Sequence, residues 1–276
     1  MKQFYETYAK CSLLAENQND LDISVDVIVS SAMTQFEKSG IKGSILTQLS
    51  WTHHLTLLSR TKTEEEREYY MRLSIQERYS VKQLERQINS GTFERVMLGN
   101  FNHPPAIKDL KQDLSNVFKD TYILEFLNVP EAHGESALQT AIIKQMKNFI
   151  LELGRDFLFV GEEYRLQVGN SDFKIDLLFY HRGLQCLVAF ELKADKFKPE
   201  HLGQLNFYLE ALDRDVKKEH ENPSIGILLC KDKDFEVVEY ALSRNLSPAL
   251  VAEYQTQLPD KVVLQQKLHS LFANVL

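Results

Sequence analysis

Residues 173–193, FKIDLLFYHRGLQCLVAFELK, place two acids and a lysine in two segments that read as neighbouring strands. Side chains alternate along a strand. Lys174, Asp176, Leu178 and Tyr180 therefore share one face of the first segment, and Ile175, Leu177 and Phe179 share the other. In the second segment Leu187, Ala189, Glu191 and Lys193 lie on one face. A two-residue loop at Gly183-Leu184 pairs Arg182 with Gln185 and, carried back, Asp176 with Glu191. Directly opposed residues have Cβ atoms about 4.5–5.5 Å apart. Two carboxylates that close repel, and near neutral pH they require a compensating cation. Oxygen ligands select a hard divalent ion such as Mg²⁺ or Mn²⁺, and Mg²⁺ takes one or two carboxylates and keeps several waters. Lys193 stands two residues from Glu191 on the same face. An amine there can orient or help deprotonate an attacking water, or stabilise charge on a phosphoryl group. An E-x-K triplet is also what a solvated strand face carries, so alone it is weak. Here both segments are otherwise largely apolar on both faces, and the helix that follows carries Gln204 beside its leucine stripe.

The elements that must position these residues fall into two halves. Residues 131–276 alternate between extended and helical patterns. A helix over Glu135–Leu153 stops before Gly154, and extended segments follow at Tyr164–Val168, Phe173–Tyr180 and Cys186–Lys193. Gly169-Asn170-Ser171-Asp172 and Arg182-Gly183-Leu184-Gln185 supply the turns. Pro199 opens a helix at a position where its missing N–H does no harm. The stripe of that helix is Leu202, Leu205, Leu209 and Leu212. The run SIGILLC at Ser224–Cys230 suits a strand covered on both faces. A helix at Phe235–Leu242, a strand at Leu250–Tyr254 and a helix at Lys261–Ala273 complete this half.

Residues 1–130 read as helices, at Lys2–Leu14, Val25–Glu37, Ile45–Leu58, after Thr63, after Ser80, and at Ile107–Phe118. Thr63-x-x-Glu66 and Ser80-x-x-Gln83 fit the capping box. Asn102-His103-Pro104-Pro105 breaks the pattern, because proline cannot continue a helix interior. The change of pattern near residue 130 divides the chain into a helical domain, 1–130, and an α/β domain, 131–276.

Composition narrows the classes. Over 276 residues, 43% apolar and 26% charged are values of an ordinary globular protein and exclude disorder. Three cysteines, Cys11, Cys186 and Cys230, are too few and too scattered for a disulfide framework or a CxxC zinc site. Charges interrupt every apolar run, so no membrane partner is expected, and MKQFYETYAK lacks a signal-peptide core. A cytoplasmic location follows as the expectation. The net charge of −7 argues against a polycation that coats nucleic acid, while leaving room for a local basic groove. Neither a Walker sequence nor GxGxxG is present, so a nucleotide cofactor is not expected.

Asp176, then Glu191-Leu192-Lys193, then a helix with Gln204, resembles the PD-(D/E)XK nuclease pattern. IDLLFYHRGLQCLVAFELK, FKPEHLGQLNFYLEALD and NPSIGILLCK resemble more closely the YhcG-type family within it, and LSWTHHLTLL, REYYMRLSIQERYSVKQLERQI and FERVML resemble that family's helical N-terminal domain. The resemblance implies an α/β fold, a restriction-endonuclease-like mixed sheet flanked by helices in three layers, preceded by an all-α domain. It implies Asp176, Glu191 and the backbone carbonyl of Leu192 as metal ligands, Lys193 as the catalytic lysine and Gln204 as an accessory residue. The implied activity is Mg²⁺- or Mn²⁺-dependent hydrolysis of DNA to 5′-phosphate ends, in recombination, repair or defence against foreign DNA. The sequence departs from the family pattern twice. Gln139 stands where relatives usually carry a glutamate in the first core helix, with Glu135 one turn earlier, and the chain looks shortened ahead of MKQFYETY. Both departures motivate the alternative, a nuclease-fold module with weak or no catalysis that binds DNA or a protein partner.

Several further residues carry weaker signals. Arg78, Lys82 and Arg86 have the spacing of one helix face and could track phosphates, balanced against Glu77 and Glu85. Lys174, Lys196 and Lys198 lie near the carboxylates and are the expected nucleic-acid contacts there. His53 and His54 read as packing and capping residues. A homodimer through the N-terminal helices would supply two sites for a double-strand cut.

Overall fold

The two acidic strands lie inside a six-stranded sheet of the computed structural model, which describes residues 45–98 and 117–273. The helices expected at Lys2–Leu14 and Val25–Glu37, the proline break, and all but the last two residues of Ile107–Phe118 lie outside the described residues. The chain forms two compact units, one from residues 1–99 with 259–276, the other from residues 100–258.

The second unit contains β1 (Thr121–Ile123), α5 (Glu135–Lys144), α6 (Met146–Leu153), β2 (Phe157–Val168), β3 (Ser171–His181), β4 (Cys186–Lys196), α7 (His201–Ala211), β5 (Ile225–Asp232), α8 (Phe235–Leu242) and β6 (Ala249–Gln255). The sheet order is β1-β6-β5-β4-β3-β2. Strands β2, β3 and β4 are antiparallel neighbours, while β4, β5, β6 and β1 run parallel, so the sheet is mixed. Helices cover both faces. Leu138 and Ile142 of α5 and Phe149 and Leu153 of α6 join Leu177, Phe179, Val188 and Phe190 in one core. Leu202, Leu205 and Leu209 of α7 and Val238 and Leu242 of α8 join Leu178, Leu187, Ala189 and Leu228 in the other. This is the three-layer α/β arrangement of a sheet with apolar residues on both sides. Strand β5 is buried from Ile225 to Cys230, as its continuous apolar run requires. Gly226 lets α7 close on it, because a Cβ there would stand 2.8 Å from Leu205.

Local sequence explains the remaining departures. The expected strand at Tyr164–Val168 is the last part of a longer β2, which passes Gly161 through a bulge between Phe159 and Gly161. The expected helix Glu135–Leu153 is two helices, interrupted at Gln145 (φ −112°). Gln145 accepts hydrogen bonds from the Asn148 N–H and side chain, which gives the backbone a local alternative to helix. The pattern boundary near residue 130 falls within the second unit, after β1, a strand of three residues with too little length for a periodicity.

The first unit contains α1 (Trp51–Arg60), α2 (Glu64–Glu77), α3 (Val81–Asn89), α4 (Thr92–Leu98) and the carboxy-terminal α9 (Lys261–Ala273). Leu57, Tyr70, Met71, Leu84 and Ile88 form its core. Ser80 and Gln83 make a complete capping box at α3. Thr63 caps α2, but Glu66 reaches one residue further back, to the Lys62 N–H at 2.8 Å. Among the described residues no helix is long and apolar enough to cross a membrane.

Candidate active site

Pairing between β3 and β4 begins at His181↔Cys186 and runs without a slip to Leu177↔Phe190. This is the register expected from Gly183-Leu184, although the ladder closes a four-residue loop rather than two. It stops one step before Asp176 and Glu191. At that step the Asp176 carboxylate replaces the main-chain ladder, and its Oδ2 accepts the Leu192 N–H at 2.8 Å. Glu163, which the β2 register would set beside Asp176, lies in the left-handed region (φ 43°) and also leaves the ladder. On the other side of β4 the pairing with β5 gains an extra residue between Lys193 and Lys196. Both ladders next to the acidic residues are thus irregular there, the kind of place where bulges re-aim side chains.

The expected alternation along β3 fails at this point. Leu178 packs with α7 and Leu177 with α5 and α6, as alternation requires, but Ile175 joins the same core as Leu178. The strand turns about Asp176, so Ile175 does not share a side with Leu177 and Phe179. The reason is the broken ladder, since only continuous pairing on both sides keeps the period of two.

Glu191 is buried, 2% exposed. Its Oε1 accepts a hydrogen bond from Lys193 Nζ at 2.9 Å, while its Oε2 is buried without a hydrogen-bond partner. Lys193 Nζ also stands 3.6 Å from Glu135 Oε2 on α5. Burial, with the Asp176 charge second, pushes the Glu191 carboxyl up to about 7. Burial also raises the Asp176 carboxyl, against the opposing hydrogen bond from Leu192. For Lys193 burial works against the charged amine, but the Glu191 hydrogen bond and the surrounding acids outweigh it and raise its pKa. The site therefore gathers three acids around one ammonium, with a buried carboxylate oxygen that nothing among the described residues satisfies. Oxygen donors of this kind fit a hard divalent cation. Among the described residues no cluster of three or more His, Cys, Asp or Glu has metal-ligating geometry on its own, so a two-carboxylate ion would take waters or main chain as well.

The other expected residues are placed as follows. Leu192 is buried and gives its N–H to Asp176. Gln204 on α7 is exposed and donates to the Tyr208 hydroxyl at 2.7 Å rather than to the acids or Lys193. Gln139 donates from Nε2 to the main-chain carbonyl of Asp176 at 3.1 Å. Lys174, Lys196 and Lys198 each face a carboxylate: Glu163 at 2.7 Å, Asp232 at 3.7 Å and Asp195 at 3.0 Å. Arg78, Lys82 and Arg86 do not line one helix face. Arg78 ends α2 in a left-handed conformation (φ 52°), and Ser80 starts a new helix that carries the other two. His53 meets Ser50 Oγ and the Tyr79 carbonyl, and buried His54 meets the Leu46 carbonyl, which are capping and packing roles.

The comparison with family models matches residues 115–269 to the YhcG PDDEXK nuclease domain and residues 1–95 to the DUF1016 N-terminal domain. The first match covers more than half of the chain. The chain belongs to the YhcG PDDEXK nuclease family. Among curated proteins it is similar to "Putative nuclease YhcG" of Escherichia coli (strain K12), 36% identical over 221 residues, covering 78% of this chain and 58% of that protein. The chain thus spans somewhat over half the length of that relative. Among solved structures, a repair endonuclease from Pyrococcus abyssi aligns with a TM-score of 0.31 and 17% identity over 48% of this chain and 50% of that one. EndoMS in complex with double-stranded DNA aligns with a TM-score of 0.30 and 18% identity over 48% and 49%. Scores of this size carry no weight for function. The restriction-endonuclease-like fold of this YhcG-family chain rests on its mixed six-stranded sheet and the family match.

Proposed function

We propose that this YhcG-family chain is a metal-dependent deoxyribonuclease, with Asp176, Glu191 and the Leu192 carbonyl holding a Mg²⁺ or Mn²⁺ ion and Lys193 acting on the attacking water. The observation that carries the reading is the buried Glu191 Oε2 without a hydrogen-bond partner among the described residues, on a residue whose other oxygen binds Lys193. An unsatisfied buried polar group costs about 1–3 kcal/mol, more when charged, and persists where function requires it. When bound, the cation polarises the scissile phosphate and lowers the pKa of a coordinated water. Asp176 is kept aimed by the Leu192 N–H. Lys193, held at 2.9 Å from Glu191, keeps an ammonium beside the position of the phosphate and positions the water for in-line attack. Gln204 donates to Tyr208, which lies within reach of the Glu191 and Asp176 charges, and the pair would border the site on the α7 side. Lys174, Lys196 and Lys198 would exchange their carboxylate partners for the DNA backbone. DNA as substrate, a cytoplasmic location and a dimer through the helical unit, which would bring two sites to a double-strand cut, belong to the same reading.

Incubation of purified protein with several DNA forms and Mg²⁺ or Mn²⁺, beside Asp176→Ala and Lys193→Ala, tests it. Cleavage by the wild type alone is expected. Equal residual cleavage by all three on every form overturns it. Calorimetry separates the alternative of a binding module: Mn²⁺ binding lost in Glu191→Ala supports the enzyme, whereas metal-independent DNA binding with no cleavage supports the module.

A further inference from the structure

Asp176 has no ladder partner on either side among the described residues: β3 pairs with β4 only as far as Leu177, and with β2 the pairing steps from Leu177 to Ile175. Its main-chain carbonyl is nevertheless satisfied, by the Gln139 amide at 3.1 Å. Its carboxylate takes the Leu192 N–H at 2.8 Å. Gln139 is well placed for this. The flanking Leu138 and Ile142 are fully buried and fix α5 on the sheet. Glu135, one turn before Gln139 on the same helix face, reaches Lys193 on the adjacent strand. One helix thus touches both site strands, through a neutral donor on β3 and an acid on β4.

We infer that Gln139 is a positioning residue: its amide holds the Asp176 carbonyl out of the sheet and so aims the carboxylate at Leu192 and the cation position. The choice of residue matters because an amide can donate to a carbonyl and a carboxylate cannot. An ionised glutamate at 139 would face that carbonyl as a second acceptor and could not make this hydrogen bond. The inference rests on the reading of Asp176 and Glu191 as the metal-holding pair.

The test uses the full chain, wild type beside Gln139→Met and Gln139→Glu. Metal-free NMR reads the Asp176 carbonyl ¹³C shift and the exchange rate of the Leu192 N–H, and calorimetry reads Mn²⁺ affinity. Both variants are expected to shift the Asp176 carbonyl and speed Leu192 exchange. Mn²⁺ affinity should fall roughly tenfold or more, the usual loss when a residue supporting a metal ligand is removed. Unmoved Asp176 and Leu192 signals in both variants overturn the inference. So does Gln139→Glu binding Mn²⁺ more tightly than wild type, which would make position 139 a ligand instead. If Gln139→Met fails to fold, Gln139→Glu alone decides. Wild type that neither binds Mn²⁺ nor cleaves DNA would sink the nuclease reading, while the NMR signals would still decide whether Gln139 holds the strand.

Discussion

Glu191 concentrates the conflict between stability and function. Its carboxyl is 2% exposed, sits near Asp176, and is pushed from its ordinary 4.5 to about 7. A folded-state value above the unfolded one means that the folded protein binds this proton more tightly. The contribution to stability is present below pH 4.5 and is lost as pH rises through about 7. Glu191→Gln keeps the shape and an acceptor for Lys193 without the buried charge. We predict that it abolishes cleavage, yet raises the metal-free stability at pH 8 by up to about 3 kcal/mol, the ceiling set by the rise from 4.5 to about 7 at about 1.4 kcal/mol per pKa unit. Denaturant titrations at pH 8 and pH 4.5 check this, and the gain should vanish at the lower pH. A destabilised Glu191→Gln at pH 8 would mean that the Lys193–Glu191 pair outweighs the burial cost. Lys193→Met is the converse case. It leaves the buried carboxylate without its cation and is expected to destabilise the metal-free protein at pH 8 by about 3 kcal/mol, as breaking buried pairs does.

At the scale of elements, the hairpin register, β5 and the ends of α8 and α9 were legible because each depends on short-range signals. Gly183-Leu184 sets the pairing, and the SIGILLC run marks a doubly covered strand. The residues left unread were those where one element yields to another. At Asp176 the strand β3 leaves both ladders, Gln139 meets its carbonyl, Leu192 its carboxylate, and left-handed Glu163 stands opposite; these three lie on three other elements. The supposed basic stripe failed for a local reason: the Ser80 capping box that predicts a helix start also separates Arg78 from Lys82. Contact between α7 and β5 is another such dependence. A Cβ on Gly226 would meet Leu205 at 2.8–2.9 Å, inside any normal approach. Gly226→Ala should therefore cost about 1–3 kcal/mol by overpacking. It should also push α7 outward and weaken the Gln204–Tyr208 contact at its surface. Thermal melts measure the first effect. The second would appear as a change in Tyr208 ring resonances, whereas loss of stability with unmoved Tyr208 resonances would confine the strain to Leu205.

The whole molecule raises a question that neither half answers alone, because the polypeptide returns at its end to the unit with which it begins. In that unit α9 brings Lys261 to Glu66 at 2.7 Å and to Glu94 at 3.7 Å, and Gln265 to Glu94 at 3.0 Å. Both acids are nearly inaccessible, 2% and 1% exposed, and lie on α2 and α4, far away in the sequence. Such a closure is invisible to periodicity: α9 reads only as a helix, and nothing in its own residues names its partner. Gly91, left-handed at φ 62°, allows the close approach of Leu264. Two buried acids that lose their shared ammonium keep the cost of burial without its compensation, which loosens α2 and α4. Lys261→Met should then cost about 2–4 kcal/mol, with the loss of hydrogen-exchange protection centred on residues 64–98. Lys261→Arg, which keeps the charge, should restore most of it. Protection that falls equally in both variants would assign the effect to helix packing, and unchanged protection in Lys261→Met would mean that α9 contributes little to holding the amino-terminal helices together.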